Sequence, residues 1–181
     1  MAINFLNNAI GTAATFTGVV TMTDRLDLND SLNNTFIGSN SGLANTSGNF
    51  NTGLGYRSLF SNTIGYGNVA IGAQSLNLNT EGFFNVAIGY QSLALSTTSN
   101  HNVSIGLQSL YNNTTGNHNI AFGKDSGKWI SNGTTENETG SNSIFIGKDT
   151  RANADGQTNQ IVIGDSAIGN GSNTVTLGNS S

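Results

Sequence analysis

Apolar and polar positions return along this chain at a fixed phase. The phrase Asn68-Val-Ala-Ile-Gly72 recurs as Asn85-Val-Ala-Ile-Gly89. With the closing glycine as marker, Gly38, Gly55, Gly72, Gly89, Gly106 and Gly123 follow one another at 17 residues, and Gly147, Gly164 and Gly178 continue the series. Before each glycine of the regular series stands a large apolar residue: Ile37, Leu54, Ile71, Ile88, Ile105, Phe122. Two positions earlier come the β-branched Thr35, Thr52, Val69, Val86, Val103 and Ile120. Between them lies a small residue (Gly53, Ala70, Ala87, Ser104, Ala121), with Phe36 the exception. Period-2 alternation of this kind predicts a short strand with two unlike faces.

After the glycine, Ser41, Ser58, Ser75, Ser92, Ser109 and Ser126 recur, and Leu59, Leu76, Leu93 and Leu110 follow four of them. This predicts a second short strand. Thr46, Thr63, Thr80, Thr97 and Thr114 come next, then Gly48, Gly65, Gly82, Gly116 and Gly133 with Ser99 in one place, read as turns with positive φ. Each unit is thus strand, turn, strand, turn. Helical repeats need more than about 30 residues per unit, and Gly-rich units of this length cannot form a helical hairpin. The fold class expected is all-β: a repetitive parallel β-solenoid or β-roll with 17-residue rungs. Rungs about 4.8 Å apart place equivalent residues in columns, so Asn34, Asn51, Asn68, Asn85, Asn102 and Asn119 are expected to stack as a structural amide ladder.

Three regions follow. Residues 1–33 lack the phrase and read as a cap over the first rung or an attachment segment. Within them the β-branched run Thr15–Thr23 suggests one or two strands, and Asp24, Arg25, Asp27 and Asp30 a polar patch. Residues 34–133 form the regular array. Residues 134–181 hold an insert loop and shorter repeats, since Gly147 follows Gly123 by 24 residues and Gly178 follows Gly164 by 14. About three apolar positions per rung enclose little volume. The β-branched and Ile positions are expected to fill that thin core, leaving the Ala/Ser or the Leu column to be covered by other chains in a homotrimer.

Composition narrows the function classes. Charged residues make up 9% of the chain against roughly 25% in ordinary domains, and there are 24 Gly and no Pro or Cys. A polar, low-charge chain can be disordered, but disorder does not return an apolar residue at fixed phase. The net charge of -4, with six Lys and Arg scattered singly, gives no basic stripe for nucleic acid. No apolar run approaches the roughly 20 residues of a membrane span, and the start shows no signal-peptide pattern, so no membrane insertion is expected. Without Cys, disulfides and thiol chemistry are excluded.

The phrase Asn-Val-Ala-Ile-Gly, with its following Ser-Leu and an Asn-Thr-x-Gly turn, resembles the head repeats of YadA-like trimeric autotransporter adhesins. It is also similar to 17-residue repeats of tail fibres in bacteriophages and phage-like contractile particles. The resemblance covers residues 34–178 and implies a trimeric parallel β-roll. For function it implies a structural, receptor-binding fibre segment on the virion tail or particle surface. Such a segment attaches to a tail or baseplate protein through its N-terminal part and contacts a host cell-surface glycan or protein. The alternative implied is the passenger of a bacterial surface adhesin; the chain shows no export signal or anchor strands, which favours the fibre. In related fibres the shorter repeats precede a self-cleaving chaperone, so a mature or truncated fibre is expected.

Candidate chemistry is sparse. Arg151-Ala-Asn-Ala-Asp155-Gly156 is shaped like a calcium loop, but Arg151 stands where the first carboxylate ligand belongs. His101 and His118 share a phase, which reads as a surface ladder more readily than as a metal site. A glycan depolymerase needs paired carboxylates, and the stretch from Asn34 to Gly123 holds Glu81 alone; any pair would come from Glu136, Glu138, Asp149, Asp155 or Asp165. No enzymatic activity, cofactor or metal is expected. The candidate receptor contacts are the aromatic residues that vary over the constant frame: Tyr56 and Tyr90 after marker glycines, Tyr66, Phe83 and Phe84 in the turn before the next Asn, and Trp129 in the insert. Trp129, with Lys124 and Lys128 nearby, either stacks on a sugar or plugs the core where two repeat types meet.

Overall fold

The computed structural model describes residues 31–178. All but the last three residues of the segment expected over 1–33 lie outside the described residues, including the strand expected at 15–23. The fold is a parallel β-solenoid, with no helix among the described residues. Nine three-residue strands form one parallel sheet in chain order: β1 (Thr35–Ile37), β2 (Thr52–Leu54), β3 (Val69–Ile71), β4 (Val86–Ile88), β5 (Val103–Ile105), β6 (Ile120–Phe122), β7 (Ile144–Ile146), β8 (Ile161–Ile163) and β9 (Val175–Leu177). Register follows the repeat: Val69 pairs with Val86, Ala70 with Ala87 and Ile71 with Ile88. It survives the longer spacing, where Ile120 pairs with Ile144, and the shorter one, where Ile161 pairs with Val175.

The two strand faces are used in the opposite sense to that expected from the alternation. The small middle residues Ala70, Ala87, Ser104 and Ala121 are fully buried, packed in one core with Leu59, Leu76, Leu93 and Leu110. The β-branched and Ile columns point outward and stay half-buried or exposed, so neither the Ala/Ser column nor the Leu column is left for another chain. The reason is room. A rung this small closes on itself only if the inward strand residue is small opposite a Leu. Where the inward residue is large the partner shrinks: a Cβ on Gly42 would lie 2.5 Å from the Phe36 ring, and one on Gly127 would lie 2.9 Å from Phe145.

A single strand, not two, is present per rung. The Ser-Leu segment is a run of turns, because Gln74, Gln91 and Gln108 and the buried Leu59, Leu76, Leu93 and Leu110 all have φ between 47° and 59°. That conformation is unfavourable for Leu. Burial of the side chain, worth about 1.5–3 kcal/mol each, outweighs it. Rung-to-rung bonds persist there, as in Leu76 N–H to Ser92 C=O at 3.0 Å. The column of Gly48, Gly65, Gly82 and Gly116 does not use positive φ. It is glycine because the next rung comes too close: a Cβ on Gly65 would meet the Gly82 carbonyl oxygen at 2.5 Å. Gly140, not Gly133, continues that column, with Gly133 in the insert.

Candidate functional site

Most polar groups inside the rod are consumed by the rod. The backbone N–H of Asn51 donates to Asn34 Oδ1 at 2.8 Å, and those of Asn68, Asn85, Asn102 and Asn119 donate likewise to the preceding Asn at 2.9–3.0 Å. Each Nδ2 donates to the carbonyl of the following turn, 14 residues on for Asn34 through Asn102 and 21 for Asn119, as Asn68 does to Gly82 at 2.8 Å. Ser143 and Gln160 carry this column through the later rungs. Two further ladders escaped sequence reading. Asn45, Asn62 and Asn79 form one, with Nδ2 to Oδ1 distances of 2.9 and 2.7 Å. Gln74, Gln91 and Gln108 form the other, at 2.9 and 2.7 Å. Their signal in the sequence is an amide at constant phase, weakened because each ladder is interrupted after three rungs.

The threonine column makes a repeated nest. The backbone N–H groups of Thr63, Ile64 and Gly65 converge on the Thr80 carbonyl at 3.0–3.1 Å, and the Thr63 hydroxyl joins them at 2.9 Å. In the last copy a carboxylate replaces the carbonyl: Asp155 Oδ1 accepts the N–H groups of Glu138 and Thr139, each at 2.8 Å, and Oδ2 accepts the Thr139 hydroxyl at 3.1 Å. Partial burial alone raises the pKa of Asp155. The N–H groups of Thr139, Glu138 and Gly156 and the Thr139 hydroxyl outweigh it and hold the carboxyl below its ordinary value. The Arg151-to-Gly156 loop is therefore organised by hydrogen-bond donors. Arg151 pairs with Asp149 at 2.5 Å.

The aromatic candidates separate into three groups. Tyr66 and Phe83 stack face to face, with centroids 5.0 Å apart and planes 8° from parallel. His101 and His118 do the same at 4.9 Å and 14°. Phe84 bridges them, meeting Phe83 edge-on at 5.7 Å and His101 at 5.4 Å. Ring faces in this ridge are turned largely toward one another along the rod, so it offers edges more than flat platforms. Tyr56 and Tyr90 are about half exposed on the other margin of the strand face, with Phe84 on the near margin. The structure thus does not gather the six candidates into one site.

Trp129 belongs to the insert and lies elsewhere on the rung. Its ring covers the Lys128 ammonium at 4.6 Å, with Tyr111 at 5.1 Å. Lys128 is 8% exposed, and its Nζ donates to Gln108 Oε1 at 2.7 Å, capping the glutamine ladder. Asp125 lies 3.4 Å away, while Lys124 is exposed and bridges only to Asp125 at 3.2 Å. The insert leaves at Trp129, turns through Asn132, whose Oδ1 accepts the N–H groups of Thr134 and Thr135, and returns at Glu136 opposite Trp129. Ser131, Asn132, Thr134, Thr135 and Glu136 are exposed. Asn137 then re-enters the interior, giving Nδ2 to the Gly127 carbonyl.

Among the described residues no three His, Asp or Glu side chains are grouped to hold a metal ion. A concavity of about 550 Å³ is lined by Ile168, Val175, Leu177 and Gly178 on the last rung. It is the unpaired side of β9, where a further rung would stack. Comparison with known protein families, curated proteins and solved structures finds no match.

Proposed function

We propose that this chain is a rigid segment of a bacteriophage or phage-like tail fibre, which serves host attachment by multivalent display from a rod. In this reading three chains assemble, the N-terminal part joins a tail or baseplate protein, and the segment works at the particle surface. The observation that carries the reading is the division of labour along the rung. Interior amides, hydroxyls and carbonyls are largely committed to ladders, and the frame repeats almost unchanged, while the insert exposes Ser131, Asn132, Thr134, Thr135 and Glu136 together where the rungs of residues 51–118 expose polar side chains singly. A frame of that kind supports presentation more readily than bond-making chemistry. Of the candidate contacts, the insert led by Trp129 is the best placed. Its exposed Asn132, Thr134, Thr135 and Glu136 offer polar groups to a glycan or protein beside an aromatic edge.

The test is binding of the fluorescently labelled full chain to whole bacterial cells. Replacing Ser131–Glu136 by a Gly-Ser turn is expected to reduce cell binding at least tenfold with the β-rich circular dichroism retained. Binding unchanged by this replacement overturns the insert as contact, and no binding to any cell tested overturns display in favour of pure spacing.

A further inference from the structure

Among the described residues Lys128 is the only charged side chain that is buried. It departs from the repeat, since the preceding rungs carry Phe60, Asn77, Ala94 and Tyr111 at its phase. A buried ammonium is costly unless closely paired, and here the pairing is thin. Nζ has Gln108 Oε1 at 2.7 Å and Asp125 Oδ1 at 3.4 Å, and the same carboxylate is shared with Lys124 through Oδ2 at 3.2 Å. The remaining neighbours are the rings of Trp129 and Tyr111. An amine, a carboxamide and a carboxylate thus meet inside an aromatic wall.

We infer that Lys128 and Gln108 join in an intramolecular isopeptide bond, a self-modification of this chain with Asp125 as the proton carrier. Nζ is 2.7 Å from Oε1, and a carbonyl bond is about 1.2 Å long, so the Gln108 Cδ lies within about 4 Å of the amine. A near-attack geometry needs about 3–3.5 Å. The terminal torsion of glutamine is broad, and turning the amide face toward Nζ gives up one bond, from Gln108 Nε2 to Gln91 Oε1. The Lys128 ammonium gives a proton to the Asp125 carboxylate, and the neutral Nζ adds its lone pair to Cδ as the C=O π pair moves to Oε1. Asp125 passes its proton to Nε2 and takes one from the now cationic Nζ. The C=O re-forms, and Nε2 leaves as ammonia with the electrons of the Cδ–Nε2 bond, carrying off the proton held by Asp125 as ammonium. One Nζ–Cδ bond forms, one Cδ–Nε2 bond breaks, and nothing is oxidised or reduced. A neutral amide then stands where a charge was buried, which removes the desolvation cost, and the two rings limit the water that would compete as nucleophile. The link ties the rung of β5 to the root of the insert, which leaves the rod at Trp129. It holds whatever the insert contacts, so it stands apart from the fibre reading.

The reaction releases one ammonia. The intact mass of the folded full chain is therefore expected to fall below its sequence mass by that amount, and proteolysis with fragmentation to place residues 108 and 128 in one branched peptide. Asn132-Gly133 and Asn170-Gly171 also lose ammonia if they close to succinimides, but neither yields a branched peptide. Lys128→Arg keeps the charge with a side chain that is no nucleophile at neutral pH; it is expected to retain the full mass with the β-rich circular dichroism unchanged. Asp125→Asn is expected to slow the loss about a hundredfold in a time course after refolding, the lower end of general acid–base contributions. A folded chain at its full sequence mass, or ammonia loss that persists in Lys128→Arg without the branched peptide in the parent chain, overturns the bond. Loss in Asp125→Asn as fast as in the parent overturns the part given to Asp125. Should Lys128→Arg fail to fold, the branched peptide decides alone.

Discussion

At the residue scale the amide ladders carry the fold, and their interruptions are informative. Asn85 is fully buried, with Oδ1 accepting from Asn102 N–H and Nδ2 donating to Ser99 C=O. Asn85→Ala leaves both partners unsatisfied and is expected to cost about 2–6 kcal/mol, at about 1–3 kcal/mol per buried group, read by chemical denaturation. In the second ladder Ser96 stands where Asn belongs, and Asn79 Oδ1 has no partner. Ser99, in the glycine column, holds Ser96 by a hydroxyl pair at 2.5 Å and fills the space an amide needs. Ser96→Asn alone is therefore expected to destabilise, and adding Ser99→Gly to rescue it, with a coupling of about 1–2 kcal/mol in a double-mutant cycle. Asp155 sets the response to acid. Its folded pKa is depressed, so its contribution is fully present above the ordinary carboxylate pKa of about 3.9 and is lost as pH falls through the lower folded value. Hydrogen exchange at Glu138 and Thr139 is expected to accelerate in that window, relative to its intrinsic rate, and to lose this dependence in Asp155→Asn.

At the element scale the strand itself was legible in the sequence, and its orientation was not. Period-2 alternation located the six strands of the regular series and the marker glycines the last three, because the hydrogen-bonded pairing simply follows the glycine spacing. Alternation alone does not say which face is inside. The usual preference for large apolar residues in the core favours Val86 and Ile88, whereas the rung is so narrow that Ala87 and Leu93 fill it. The Ser-Leu turn has the sequence of a strand, because its left-handed Leu backbone is rare enough that composition does not signal it. Size exchange between these two elements gives the clearest check. Gly127→Leu restores the repeat pattern but collides with Phe145, and is expected to cost about 1–3 kcal/mol. Combined with Phe145→Ala, which restores the small inward residue, most of that loss is expected to return, as a denaturation midpoint recovering toward the unmodified chain.

At the scale of the whole molecule, stability and length are separable, because each rung touches mainly its neighbours. The bonds joining one rung to the next recur at 17 residues, so deleting residues 102–118 joins His101 to Asn119 in a position whose left-handed backbone, φ 58° at both His101 and His118, already matches. This deletion removes none of the aromatic candidates and is expected to leave a cooperative β-solenoid shorter by about 4.8 Å. Deleting residues 103–118, one residue fewer, slips the register, turns the Ile column inward and the Ala column outward, and is expected to abolish folding. If the segment displays a receptor contact in its insert, the in-phase deletion leaves cell binding intact while the insert replacement removes it. A rod that served only as a spacer would respond in the opposite order, indifferent to the insert and sensitive, in the assembled particle, to length. The two variants together thus separate presentation from spacing using a property of the fold: the rung is the unit that can be removed without changing what the others bond to.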